Sequence, residues 1–238
     1  MARYTRHQLK EDKFTETAAE SLSWMREHQG KLTAVLVIAV VALLAAAGGW
    51  FYLQRQEQKA SLELSKALRT FNTPVREANT PPNPEFDTFP SSKERAEAAR
   101  KQFKEVAEKY RYTRSGEVAK YMEAIAAMSL GDNADAEQRL KQLAGSRNKD
   151  LSSLAKFKLA SLDRTTNRED QAIAIYRDLV DHPTRTVTKA MAQLELASAY
   201  ENKNPAEAQR IYQALQTESP AAPAAEVARS RMAGNKRQ

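Results

Sequence analysis

The chain is 238 residues long, 42% hydrophobic and 28% charged, a balance that fits a folded protein and argues against a disordered one. With no cysteine, three histidines and seven glycines, it excludes disulfide frameworks, thiol catalysis and cysteine-based metal centres, and it argues against a Gly-rich phosphate loop. Thirty-seven basic residues against thirty acidic ones leave a mildly basic net charge of +7.

Residues 1–31 form a polar tail with six basic and five acidic residues, a net of +1. Leu9, Phe14, Ala18, Leu22 and Met25 fall near one helical face, extended by Trp24. This predicts a short helix in the tail. It is either amphipathic, lying on a membrane or docking a partner, or a plain juxtamembrane helix with a weak apolar side. Residues 32–54, LTAVLVIAVVALLAAAGGWFYLQ, contain no charge. At about 1.5 Å per residue this run covers about 35 Å, enough to cross a hydrocarbon core of about 30 Å. Trp50 and Tyr52 stand at one end, where aromatic rings favour the interface, and Lys31 and Arg55 flank the run. A single transmembrane helix is predicted. Ala45-Ala46-Ala47 would suit signal cleavage, but the long, partly acidic segment before the run is unlike a signal n-region, so an uncleaved anchor is expected. Lysines and arginines near the two ends give no clear bias. The short basic tail weakly favours an N-terminus in the cytosol.

Beyond Arg55 the chain is rich in good helix formers and shows no strand alternation. Residues 55–71 are predicted as the first helix of a stack. Leu53, Ala60, Leu64, Ala67, Leu68 and Phe71 make a stripe that should pack on a helix over about 92–112. Residues 72–91, with Pro74, Pro81, Pro82, Pro84 and Pro90, exclude regular helix and predict a long loop, flexible or functional.

Residues 92–220 repeat themselves. Ala136, Ala172 and Ala208 recur every 36 residues, followed four positions on by Leu140, Tyr176 and Tyr212, and three further on by Leu143, Leu179 and Leu215. Ala99, Phe103 and Val106 form an earlier, less regular copy. A small residue lets two helices approach, and the residues four and seven positions later lie on the same face and fill the core. Gly131, Asn167 and Lys203 share the 36-residue phase at breaks between helices, and units end near His182-Pro183 and Ser219-Pro220. Residues 221–238 are read as a capping helix over Ala224–Met232 and a basic tail, Lys236-Arg237.

Chemistry is harder to find. His182 beside Pro183 reads as a solvated loop residue, and His7 and His28 lie in the tail. The acid pairs Glu105 and Glu108, Asp132 and Asp135, and Glu169 and Asp170 sit beside basic residues or at helix starts, where they suit the helix dipole. Nothing singles out a catalytic pair, so no enzyme, cofactor or metal site is expected. Phe103, Tyr176 and Tyr212 occupy core positions rather than interleaving with exposed basic residues, so nucleic acid is not expected as a partner.

The repeats resemble the tetratricopeptide repeat family. The last unit carries the resemblance best, with Leu196-Ala197, Tyr200, Ala208, Tyr212, Leu215 and Pro220. The period is 36 rather than the usual 34, and Lys120, Lys156 and Gln193 stand where the family has an early tryptophan. With the predicted span, the resemblance implies an all-α protein: the single transmembrane helix is followed by a right-handed tetratricopeptide-like α-solenoid of about three to four helical hairpins. It also implies a concave protein-binding groove lined by the first helix of each hairpin. Its candidate residues are Tyr121, Ile125 and Met128, then Phe157, Ser161 and Arg164, then Leu194, Ser198 and Glu201. The apolar periodicity leaves open that Tyr121, Phe157 and Leu194 are packed core between units. The order of tail, span and repeats resembles the bacterial ancillary SecYEG translocon subunit family. That resemblance implies a single-pass inner (cytoplasmic) membrane protein with a periplasmic repeat domain, beside the secretion channel and holding exported clients. The alternatives are a structural scaffold in a cell-envelope complex and a regulator signalling through the tail.

Overall fold

A computed structural model describes residues 29–77, 80–81 and 87–235. The predicted tail helix, Pro82 and Pro84 of the loop, and Lys236-Arg237 lie outside the described residues. The described residues form nine helices, and their one strand-like feature is a single bridge between Val75 and Phe89.

The chain divides into two compact units, residues 1–55 and 56–238, and the boundary falls within the first helix, α1 (Gln29–Asn72). In the first unit this helix is apolar on every side. Val35, Leu36, Ile38, Leu43 and Leu44 are between 64% and 70% exposed. A helix without a polar face, and with none of its most apolar stretch buried, is suited to an apolar medium. By length and hydropathy it is a candidate membrane-spanning helix.

The second unit is a stack of hairpins. The end of α1 pairs with α2 (Ser92–Lys109), α3 (Arg114–Ser129) with α4 (Asn133–Ala144), α5 (Lys149–Thr165) with α6 (Glu169–Asp181), and α7 (Lys189–Tyr200) with α8 (Pro205–Glu218). The last helix, α9 (Pro223–Asn235), packs on α8 and α7. The starts are written in the sequence as capping residues. Ser91, Thr113, Asp132, Asn148, Thr188 and Asn204 each accept a backbone N–H from the first turn of α2, α3, α4, α5, α7 and α8 respectively. Pro205 adds a preset φ at the start of α8. Within two of the hairpins the break needs a left-handed residue, supplied by Gly131 (φ 78°) and Asn167 (φ 61°), which stand 36 residues apart.

The second helices α2, α4, α6 and α8 carry the repeated core. Ala99, Ala136, Ala172 and Ala208 are buried, as are Phe103, Leu140, Tyr176 and Tyr212 four positions on. Phe103 meets Phe71 edge to face at 6.0 Å, and Ala60, Leu64 and Ala67 close the first cluster from α1. Leu53, placed in the same stripe by periodicity, is 44% exposed instead, because it lies on the first-unit side of Arg55.

The ends of the Pro-rich segment are held rather than free. Arg76 N donates to Phe89 O at 3.0 Å, Phe89 N donates to Pro74 O at 3.0 Å, and Arg95 Nη1 reaches Thr73 O at 3.2 Å. The prolines exclude helix, but the non-proline residues between them keep the N–H groups that tie the two ends together.

Candidate protein-interaction surface

The first helices α3, α5 and α7 carry the residues expected to line a groove. Packing draws several of them inward. Tyr121 and Met128 lie half-buried against the middle core cluster, and burial pushes the Tyr121 hydroxyl pKa up to about 12. Phe157 meets Tyr176 edge to face at 5.7 Å, and Leu194 packs on the same C-terminal cluster. Ile125 and Ser161 are half-buried. Leu194, Ser198 and Glu201 stand one residue out of the 36-residue phase of Tyr121 and Phe157. The in-phase residues Gln193, Ala197 and Tyr200 are buried.

Arg164, Ser198 and Glu201 come together in one polar network. The Arg164 guanidinium lies 3.1 Å from Glu195 and donates to Ser198 Oγ at 3.1 Å. Arg231 of α9 donates to the same Ser198 Oγ at 2.8 Å and pairs with Glu201 at 3.1 Å. Tyr212 Oη then donates to Glu201 at 2.7 Å. The network ties α5, α7, α8 and α9 together with planar arginine forks. Neither Glu195 nor Arg231 was singled out from the sequence. Their partners lie about thirty residues away, and no local spacing signals such a pair.

A second set of charges was also missed. Glu123 on α3 is 2% exposed, with Arg139 of α4 at 2.9 Å from its Oε2, while its Oε1 has no hydrogen-bond partner among the described residues. Burial pushes the Glu123 carboxyl up, and Arg139 opposes that shift. Asp163 on α5 is equally buried and pairs with Arg168 at 2.7 Å. Burial likewise raises its carboxyl, with Arg168 pulling it down. Here a sequence signal existed: Asp163 stands in the 36-residue phase of Ala127 and Ala199, both fully buried. Glu123 and Arg139 also line a cleft of about 540 Å³ between α2, α3 and α4, together with Ala107, Arg111, Lys120 and Leu143. Across the outer helices, Arg168 reaches back to Glu137 at 2.7 Å, and Lys203 bonds Asp170, so the turn before a second helix grips the second helix of the preceding hairpin.

Glu123 supplies a pH prediction. A carboxyl raised in the fold binds its proton more readily when folded, so it adds stability as pH falls through its folded pKa and takes that stability away as pH rises again. Asp135 is the opposite case: its hydrogen bond from Arg139 lowers it, so its contribution is lost on acidification. Glu123→Gln leaves Arg139 its pairing with Asp135 at 2.5 Å, so its cost at neutral pH is expected to stay below the roughly 3–5 kcal/mol of stranding one partner of a buried pair. It should lose stability more steeply than the parent between neutral pH and pH 4.5, which urea midpoints across that range would show. A parallel pH dependence would contradict the burial of this carboxyl.

Among the described residues no cluster of three or more potential metal ligands occurs. What the surface offers is shape, arginine forks and carboxylates held by helices. The tetratricopeptide repeat-like domain family matches residues 22–178, well over half of the chain.

The chain belongs to this family.

Its tetratricopeptide-like hairpins continue past the matched region through α7 and α8 to the cap α9. The fold is also similar to a crystal structure of nearly identical TPR-like repeats from a Podosopora anserina protein assigned as a kinesin light chain. The TM-score is 0.54 at 17% identity, covering 76% of this chain and 89% of that one. No curated protein matches the chain. Tetratricopeptide-like domains are protein-interaction modules rather than catalytic ones, and this chain carries such a module.

Proposed function

We propose that the chain is a membrane-anchored, non-catalytic protein-binding module on the extracytoplasmic face, assisting secretion or folding of envelope proteins near the translocon. The observation that carries the reading is the union of an uncharged run and a tetratricopeptide-like stack in one chain. The family match, residues 22–178, takes in that run as well as the first hairpins. Anchoring raises the local concentration of the module at the membrane, so a weak groove suffices for reversible holding. The groove is formed by Tyr121, Ile125, Met128, Phe157, Ser161, Arg164, Leu194, Ser198 and Glu201. The half-buried aromatic and aliphatic residues supply its floor, and the Arg164–Ser198–Glu201 network supplies its polar end.

A second reading has its own support. The polar end of the groove is ion-paired, and among the described residues of the second unit the exposed large apolar side chains are Leu62, Tyr112, Val118, Met191 and Val227. Such a surface suits one partner of complementary charge, as in a scaffold of an envelope complex, better than many apolar clients. Crosslinking of the full-length protein in intact membranes, read by mass spectrometry, separates the two. Secretion-channel subunits together with many unrelated exported proteins are expected for the holder. One stoichiometric envelope partner with the channel absent means a scaffold. Cytosolic partners on the repeat domain would overturn the orientation and both readings.

A further inference from the structure

The turn between α2 and α3, residues Tyr110–Thr113, and the first residue of α3 differ from the rest of the stack. Tyr112 is 75% exposed, the most exposed large hydrophobic side chain among the described residues. The Arg111 guanidinium sits over its ring at 4.6 Å. Arg111 and Arg114 are both exposed, and neither forms an ion pair among the described residues. Of the acids near this turn, Glu57 is taken up by Ser115, whose Oγ donates to it at 2.7 Å and whose N–H lies 3.3 Å away. Glu63 is taken up by Lys109 and Tyr110, each at 2.8 Å. Glu108 and Glu117 line the neighbouring cleft with Arg111 and make no ion pair with it. The turn is therefore a cationic projection with an aromatic tip.

Covalent adjacency keeps the turn near the end of the uncharged run. Glu57, which holds Ser115, is only three residues past Gln54, the last residue of the uncharged run. At about 1.5 Å per residue that is about 5 Å along the helix, within the headgroup layer of a bilayer. Exposed Lys59 lies two residues further on. An exposed tyrosine flanked by free arginines has the chemistry of an interfacial anchor. Such a ring favours the headgroup layer, and the cations beside it are drawn to an anionic surface.

We infer that the α2–α3 turn, through Arg111, Tyr112 and Arg114, docks the tetratricopeptide-like domain onto the anionic headgroups of the membrane that its own N-terminal helix spans. The inference rests on the membrane-anchor reading above. Docking through this turn is compatible with the proposed groove only if the residues assigned to it on α3, α5 and α7 stay free for protein partners.

The absence of native cysteine makes the test clean. The full-length chain carries a fluorophore at Val118→Cys, one helical turn from Arg114, or at Gln213→Cys on α8 as the distant control. It is reconstituted into vesicles containing lipid with a nitroxide on the headgroup. In vesicles of phosphatidylglycerol and phosphatidylcholine, quenching at position 118 is expected to exceed that at 213 by about twofold or more. It should fall to the level of 213 in phosphatidylcholine alone, at about 0.5 M salt, and in the Arg111→Glu/Arg114→Glu variant. Tyr112→Ser should give a partial loss. Equal quenching at the two positions, or quenching at 118 that survives both neutral lipid and charge reversal, would overturn the docking. Alkaline carbonate separates the two layers of the argument. A chain extracted by carbonate refutes the anchor and the docking with it, whereas a chain retained but unquenched refutes the docking alone.

Discussion

Tyr176→Ala is expected to be among the most damaging single substitutions in this protein, destabilising the repeat domain by about 3–5 kcal/mol. Tyr176 is fully buried on α6, and its ring meets Phe157 of α5 edge to face at 5.7 Å. Neighbouring Ala172, Ile173 and Leu179 lie in the same cluster, which runs on into α7 and α8. Alanine would leave a void that helices on both sides cannot collapse into without breaking their own contacts. For a domain of this size each kcal/mol shifts the melting midpoint by about 2–4 °C, so a fall of about 6–20 °C is expected. The stack adds a further signature. Hairpin stability is propagated by nearest neighbours, and α5–α6 sits between the α3–α4 and α7–α8 hairpins. Its loss should split thermal unfolding, followed by circular dichroism, into two transitions. A drop below about 1 kcal/mol with a single transition would mean that the ring is not the joint between units.

Gly116→Ala should come close to that effect by the opposite route, overpacking. A Cβ at Gly116 would lie 2.1 Å from the carbonyl oxygen of Tyr110 and 2.8 Å from its carbon. Both are backbone atoms, so no side-chain rotation relieves the clash. The start of α3 must move away from the end of α2. Overpacking of this kind costs about 1–3 kcal/mol. The movement also threatens the cap, in which Gly116 N donates to Thr113 Oγ1 at 3.0 Å, worth about 1 kcal/mol more. A total of about 2–4 kcal/mol is expected from denaturant unfolding. Gly145→Ala is the control. Its nearest neighbour would be Gln142 O at 3.5 Å, an ordinary contact, and its φ is negative, so a change within about 0.5 kcal/mol is expected. Equal behaviour of the two glycines would refute the close approach at the α2–α3 turn.

The parts of the architecture legible in the sequence were those governed by short-range rules. An alanine, a large residue four positions on and an aliphatic three further on must share a helical face, and all three sets proved buried on the second helices. The caps Ser91, Asn148 and Asn204 obey the same kind of short-range rule, since a short polar side chain reaches only the N–H groups of its own first turn, but they were not expected from the sequence. Gly131 and Asn167 were marked by phase, and both take the left-handed conformation that a tight break demands.

The interaction surface was less legible, for a reason that belongs to repeats. The first helix of each hairpin is covered by its own partner and by the neighbouring hairpin, so more than one of its faces is apolar. Periodicity alone could not decide whether Tyr121, Phe157 and Leu194 faced a groove or the joint between units, and all three lie half-buried against core clusters. The buried acids Glu123 and Asp163 and the Arg164–Ser198–Arg231–Glu201 network depend on helices brought together across thirty or more residues. The exposed arginines and tyrosine of the α2–α3 turn became meaningful only when Ser115 was found bonded to Glu57, beside the uncharged run. The uncharged run, the helical repeats and their breaks could be read along the chain, because hydrophobic period and turn chemistry act within a few residues. The tertiary structure alone decided which long polar side chains meet and which faces stay open, because those depend on the stacking of whole helices rather than on the order of residues along any one of them.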